Sequence, residues 1–156
     1  MYLFDTNIFL EILLSQERSA DCKKILNDNI GHICISDFSL HSIGVILFRH
    51  GKGEIFNDFA ADVLSKIDMV TLPKESYENL SELKEKYNLD FDDAYQYKVA
   101  EERDLTIITM DKHLRIGKRK ILKNRASKSR PTPLQSWREA LTCSKRIGGG
   151  IEVRFL

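Results

Sequence analysis

Residues 1–14 read MYLFDTNIFLEILL, and the break between the two halves of this stretch decides the fold. Tyr2, Leu3 and Phe4 form a short apolar run, whereas Ile8, Phe9, Ile12 and Leu13 recur at helical spacing. A strand therefore passes into a helix through Asp5, Thr6 and Asn7. Asp5 at such a junction has two readings. It can be the helix N-cap, its carboxylate accepting from the free amides of the first turn, or it can be a ligand at the carboxyl end of a strand.

The same reading carried outward predicts further strands at 32–35, 69–72 and 106–109, and helices at 6–14, 18–27, 37–49, 54–65, 74–87 and 92–103, with GKG at 51–53 and Pro73 as breaks. The strands are mostly without polar alternation, the pattern of strands covered on both faces. Strands alternating with helices imply an α/β fold with a mostly parallel central sheet between two helical layers. In such sheets the ligand crevice lies outside the carboxyl ends of the strands, where strand order reverses. Asp5 follows the first strand directly, and Asp111 follows TIIT (106–109) with one residue between. Both acids belong at that edge. A third source is LDFDDAYQYKVAEERD (89–104), in which Asp92 and Asp93 open a helix whose Ala94, Tyr97 and Ala100 read as its packed side. Capping is the alternative role for these acids too, since carboxylates favour the positive end of a helix.

Composition narrows the class. With 156 residues, 42% of them hydrophobic, the chain can bury one sizeable core. The apolar runs, such as IGVILF at 43–48, are too short to span a bilayer, and the amino-terminal stretch lacks the basic region of a secretory signal. A cytoplasmic location is the expectation. Cys22, Cys34 and Cys143 are odd in number and contain no CxxC pair, which argues against a disulfide framework and a zinc site and for reduced thiols, two of them in the core. The net charge of +1 conceals a division: residues 1–111 hold 11 Lys and Arg against 21 Asp and Glu, and residues 112–146 hold 12 against one. An acidic body precedes a basic segment.

Carboxylates converging on one crevice repel, and without compensation one of them is driven toward its neutral form. A divalent cation is the simplest compensation, and hard oxygen ligands suit Mg²⁺ or Mn²⁺. An open crevice of acids and metal is equipment for phosphodiester hydrolysis, with no nucleophilic side chain required.

DTN at 5–7, FDDA at 91–94 and TMDKHL at 109–114 together resemble the three best-marked signatures of PIN-domain nucleases, in the order and spacing of the VapC-type ribonuclease toxins of VapBC toxin-antitoxin pairs. The resemblance covers about residues 1–114, and IEVRFL at 151–156 is similar to the family's last strand. It implies a three-layer α/β/α sandwich, Mg²⁺- or Mn²⁺-dependent cleavage of RNA, a homodimer, and neutralisation by a small antitoxin protein. It also implies that Asp5, Asp93 and Asp111 are the catalytic, metal-holding acids. Thr6 and Asn7 would orient the first of them, with Ser42, Asp92 and Thr109 as further supporting candidates.

Two departures from the family pattern stand out. The family commonly carries a glutamate about six residues beyond a serine on the helix after the second strand, and in ISDFSLHSIG (35–44) that position is Ser42. The second metal position should be weakened by the loss, unless Asp37, Asp90 or Asp92 substitutes. Neighbouring His41 is expected to be a partly buried histidine with a satisfied ring. The second departure is the basic stretch 115–150, read as an insertion or arm attached to a domain of residues 1–114 plus 151–156. Lys118, Arg119, Lys120, Lys123, Arg125, Lys128 and Arg130 could track a phosphate backbone there, as readily as they could form a solvated or partner-binding arm.

Two other functions compete with the nuclease. A PIN-like body silenced by the missing glutamate would bind RNA or protein without cutting. A phosphoacceptor regulatory domain also gathers aspartates and Mg²⁺ at a sheet edge, but DTN at residue five fits it poorly.

Overall fold

The computed structural model describes residues 1–110 and the strand Lys120–Ile121. The chain divides into two units, Met1–Lys123 and Asn124–Leu156, and the described residues all belong to the first. Five strands form one sheet: β1 (Tyr2–Phe4), β2 (Ile33–Ser36), β3 (Asp68–Val70), β4 (Thr106–Thr109) and β5 (Lys120–Ile121), in the order β3-β2-β1-β4-β5. Every pairing is parallel, with Leu3 opposite both Cys34 and Ile107.

The helices are α1 (Thr6–Leu13), α2 (Ser19–Asp28), α3 (Asp37–Arg49), α4 (Gly53–Asp62), α5 (Leu80–Tyr87) and α6 (Phe91–Glu102). Helices α1 to α4 pack among themselves, as do α5 and α6, which follows from handedness. Right-handed crossovers running β1 to β2 to β3 cover one face, and the return from β3 to β4 covers the other. The three layers expected from the sequence are therefore present.

Side-chain alternation divides the core between the two faces. Leu3, Cys34 and Ile107 join Leu72, Leu80, Leu89, Tyr95 and Val99 on the α5/α6 side. Phe4 turns the other way, its ring 6.2 Å from Phe9 of α1, and Phe9 meets Phe59 of α4 at 5.5 Å. Cys22 and Cys34 are buried free thiols, as expected. Among the described residues no helix is long and apolar enough to cross a membrane.

The structure differs from the sequence reading at four points. The third strand is an edge strand and not a covered one, with Met69 61% exposed. The predicted helix 74–87 is a 3-10 turn (Lys74–Asn79) followed by α5. His41 is exposed on α3, so it is not the partly buried histidine expected. Finally, the basic stretch contributes to the sheet, because Lys120 and Ile121 pair with Ile108 and Thr109 as β5. The remainder of 115–150, and the strand expected at 151–156, lie outside the described residues.

Chain reversals explain the boundaries. α3 ends in a Schellman turn, the Lys52 amide donating to the Leu47 carbonyl at 2.8 Å and that of Gly51 to Phe48 at 3.0 Å. Gly51 has φ +67°, where a residue without Cβ is favoured.

Candidate active site at the switch point of the sheet

Strand order reverses between β1 and β4: from β1 the chain moves toward β2 and β3, and from β4 toward β5. Asp5 and Thr109 stand at these two carboxyl ends. The Asp5 amide donates to the Ile108 carbonyl at 3.0 Å, so the residue continues the β1–β4 pairing by one step. Its side chain makes no capping bond to α1. Instead the Thr109 hydroxyl donates to Asp5 Oδ2 at 2.6 Å. A cap would have turned the carboxylate back onto its own helix. The observed bond holds it across the switch point.

The second acidic element resolves in a similar way. Asp90 is the N-cap of α6, its Oδ1 accepting from the Asp93 amide at 2.9 Å. Asp92 and Asp93 follow in the first turn without serving as the cap. Partial burial, with the Asp90 carboxylate adding to it, raises the Asp92 pKa above its ordinary value. Asp92 is nevertheless largely exposed, while Asp93 is half-buried. Thr6 and Asn7 occupy the first turn of α1. Ser42 is half-buried on α3.

Of the acids considered as substitutes for the missing glutamate, two have structural work. Asp37, just past β2, accepts from the Phe38 amide (2.8 Å) and the Tyr95 hydroxyl (2.7 Å) through Oδ1, and from the Thr71 hydroxyl (2.9 Å) through Oδ2. Tyr95 in turn accepts from the Leu72 amide at 3.2 Å. This network ties the ends of β2 and β3 to α6, and burial with the Asp37 bond pushes the Tyr95 hydroxyl pKa upward. Asp90 is occupied as the cap.

The sequence reading passed over a buried polar knot beside this tie. Ser36 caps α3, accepting from the Ser39 amide at 3.0 Å, and its hydroxyl donates to Ser39 Oγ at 3.0 Å. Gln96 Nε2 donates to both serine hydroxyls. The S-x-x-S spacing was a legible capping signal, but no pattern in the sequence announces a glutamine from α6 meeting it.

Asp111 lies outside the described residues, as do Lys118, Arg119, Lys123, Arg125, Lys128 and Arg130, while Lys120 lies on β5. Among the described residues no group of three or more His, Cys, Asp or Glu is assembled to hold a metal ion. The donors present do fit a hard cation. Asp5 supplies carboxylate oxygen at a strand end and is oriented by a neutral hydroxyl. An outer-sphere bond of this kind is usual for ligating carboxylates.

The PIN domain family model matches residues 2–119. No curated protein sequence matches the chain significantly. Among solved structures, the chain is similar to a toxin-antitoxin complex from Klebsiella pneumoniae (23% identity, 71% of this chain and 87% of that one, TM-score 0.58). It is similar also to VapC20 of Mycobacterium tuberculosis, described as a sarcin-ricin loop cleaving toxin (15% identity, 69% and 87%, TM-score 0.61). A third is VapBC2 from Rickettsia felis bound to a DNA fragment from their promoter (17% identity, 70% and 86%, TM-score 0.56). These likenesses carry the fold, and the family match, which spans most of the chain, carries the assignment: the protein belongs to the PIN domain family.

Proposed function

We propose that this chain is a metal-dependent endoribonuclease and the toxin of a toxin-antitoxin pair, acting in the cytoplasm as a homodimer that a small antitoxin protein neutralises. The observation that carries the reading is the Asp5 carboxylate, held by Thr109 across the switch point and not spent on capping α1. In this reading Asp5, Asp93 and Asp111 hold Mg²⁺ or Mn²⁺. The bound cation would supply an activated water and stabilise the leaving oxygen of an RNA phosphodiester. Thr109 orients Asp5, and the Asp90 cap fixes the first turn of α6, on which Asp93 stands. Products would carry a 5′-phosphate and a 3′-hydroxyl. The toxin-antitoxin and VapC descriptions of the similar structures support the partner and substrate class.

The test is cleavage of a mixed RNA in Mn²⁺, Mg²⁺ and EDTA, beside folded Asp5→Asn and Asp93→Asn proteins. Metal-dependent cutting that both variants lose is the expected result. A second reading, a PIN body that binds RNA or protein without cutting, is favoured by Ser42 standing where the family carries an acid. RNA binding with no cleavage under any metal would select it.

A further inference from the structure

A cavity of about 280 Å³ adjoins the switch point and is lined by Asn7, Leu10, Glu11, Gln16 and Met110. Asn7 lies two residues beyond Asp5, and Met110 directly follows Thr109. The cavity is therefore next to the strand ends that present Asp5 and Thr109. Its size is just under the range of pockets for drug-sized ligands, roughly 300–1,000 Å³, which suits one planar base.

Its walls are held by the backbone. α1 closes in a Schellman turn in which the Gln16 amide donates to the Glu11 carbonyl at 2.9 Å and the Ser15 amide to Ile12 at 3.2 Å. Ser15 adopts φ +50°, a left-handed conformation uncommon for a residue with a side chain, and this reversal brings Gln16 back beside Glu11. Glu11 is oriented in turn, since its Oε2 accepts from the Arg18 amide at 2.9 Å. On the strand side, the Cys22 thiol donates to Met110 Sδ at 3.3 Å and fixes that apolar wall.

The polar inventory defines the ligand. Glu11 is an acceptor only, and a carboxylate offers about four acceptor positions, so the Arg18 bond leaves room for two adjacent N–H groups. Asn7 and Gln16 each bring an amide NH₂ donor. Guanine is the base that presents neighbouring N1–H and N2–H₂ donors on one edge and O6 and N7 acceptors on another. Leu10 and Met110 supply apolar surface for its ring.

We infer that this cavity is a guanine-selective subsite, receiving the base of a nucleotide that flanks the phosphodiester to be cut. The inference rests on the ribonuclease reading above, and it assigns the sequence preference of that activity to Glu11 and Gln16.

The experiment uses the full chain with oligouridylates carrying a single G, A or C, and compares wild type with Glu11→Gln and Gln16→Ala. Glu11→Gln keeps an acceptor for the Arg18 amide, and Gln16 is exposed, so both proteins should fold. Cutting beside the single G is expected. Relative to its own cutting of uridine-only chains, Glu11→Gln should lower kcat/KM at that site by about tenfold to a hundredfold, the worth of one paired base edge. Binding of guanosine, adenosine, cytidine and uridine 5′-monophosphates to metal-free protein, followed by NMR, runs in parallel. RNA cleavage without preference for G, or with a preference that Glu11→Gln leaves intact, overturns the subsite and leaves the ribonuclease reading standing. No cleavage, with guanosine monophosphate binding that Glu11→Gln abolishes, sustains a guanine-selective cavity but overturns both its place beside a scissile phosphodiester and the ribonuclease reading. Neither cleavage nor selective binding overturns both.

Discussion

Thr109 and Asp5, 104 residues apart in the chain, meet through a hydroxyl-to-carboxylate bond of 2.6 Å at the carboxyl ends of neighbouring strands. Thr109 is fully buried, so the bond fixes the orientation of Asp5 from beneath. Thr109→Val keeps the shape and removes the donor. It is expected to weaken Mn²⁺ binding about tenfold to a hundredfold, in line with outer-sphere partners elsewhere. Thr109→Ser should restore it. Calorimetric Mn²⁺ titration reads this directly, and unchanged affinity in the valine variant would remove Thr109 from the site.

Ser42 is half-buried on α3, at the position where the resemblance to PIN nucleases leads one to expect a carboxylate. Asp37 and Asp90 are held by other bonds, so neither supplies the missing charge freely. Ser42→Glu is therefore expected to raise cleavage at low Mn²⁺, because an added anion lowers the cost of gathering cations in the crevice. The check is the half-saturating Mn²⁺ concentration, which should fall.

Asp90 caps α6, whereas Asp92 and Asp93 stand in its first turn. Asp90→Ala should cost about 1 kcal/mol of stability, the usual worth of an N-cap, and Asp90→Ser should recover most of it because serine also accepts from the third amide. Urea denaturation measures both. If Asp90→Ser retains the stability but loses cleavage, the carboxylate itself belongs to the active site.

Tyr95 donates to Asp37 and accepts from Leu72 in a buried position, so Tyr95→Phe leaves both partners short. A bond to a charged group is worth about 1.5–3 kcal/mol, and unfolding stability should drop by that amount. A drop below about 0.5 kcal/mol would mean that water replaces the hydroxyl.

Burial, aided by Glu11, pushes the Cys22 thiol from 9.0 up to about 11. The folded state thus holds this proton more tightly than the unfolded state. Its contribution to stability is complete below about 9.0 and is lost as pH rises toward about 11. Stability measured across that interval should fall more steeply in the wild type than in Cys22→Ala, and parallel curves would refute the assignment.

Local order was legible from residue types. Tyr2–Phe4, Thr106–Thr109 and the helices carry their apolar spacing within short windows, and a short-range pattern needs only neighbouring residues to express itself. The alternation of these elements implied parallel pairing and hence the edge at which Asp5 stands. Other features depend on partners distant in sequence. Asp5 could equally have capped α1, and only the arrival of β4 beside β1 turned its carboxylate to Thr109. Asp37 read as one more acid at a helix start until Thr71 and Tyr95 converged on it from other elements. Gln96, Ser36 and Ser39 form their knot for the same reason. The β3 edge and the β5 pairing likewise follow from strand order, which a chain cannot express until its crossovers have closed. Short-range spacing determined which elements form, and long-range packing determined which oxygen each of their polar side chains would meet.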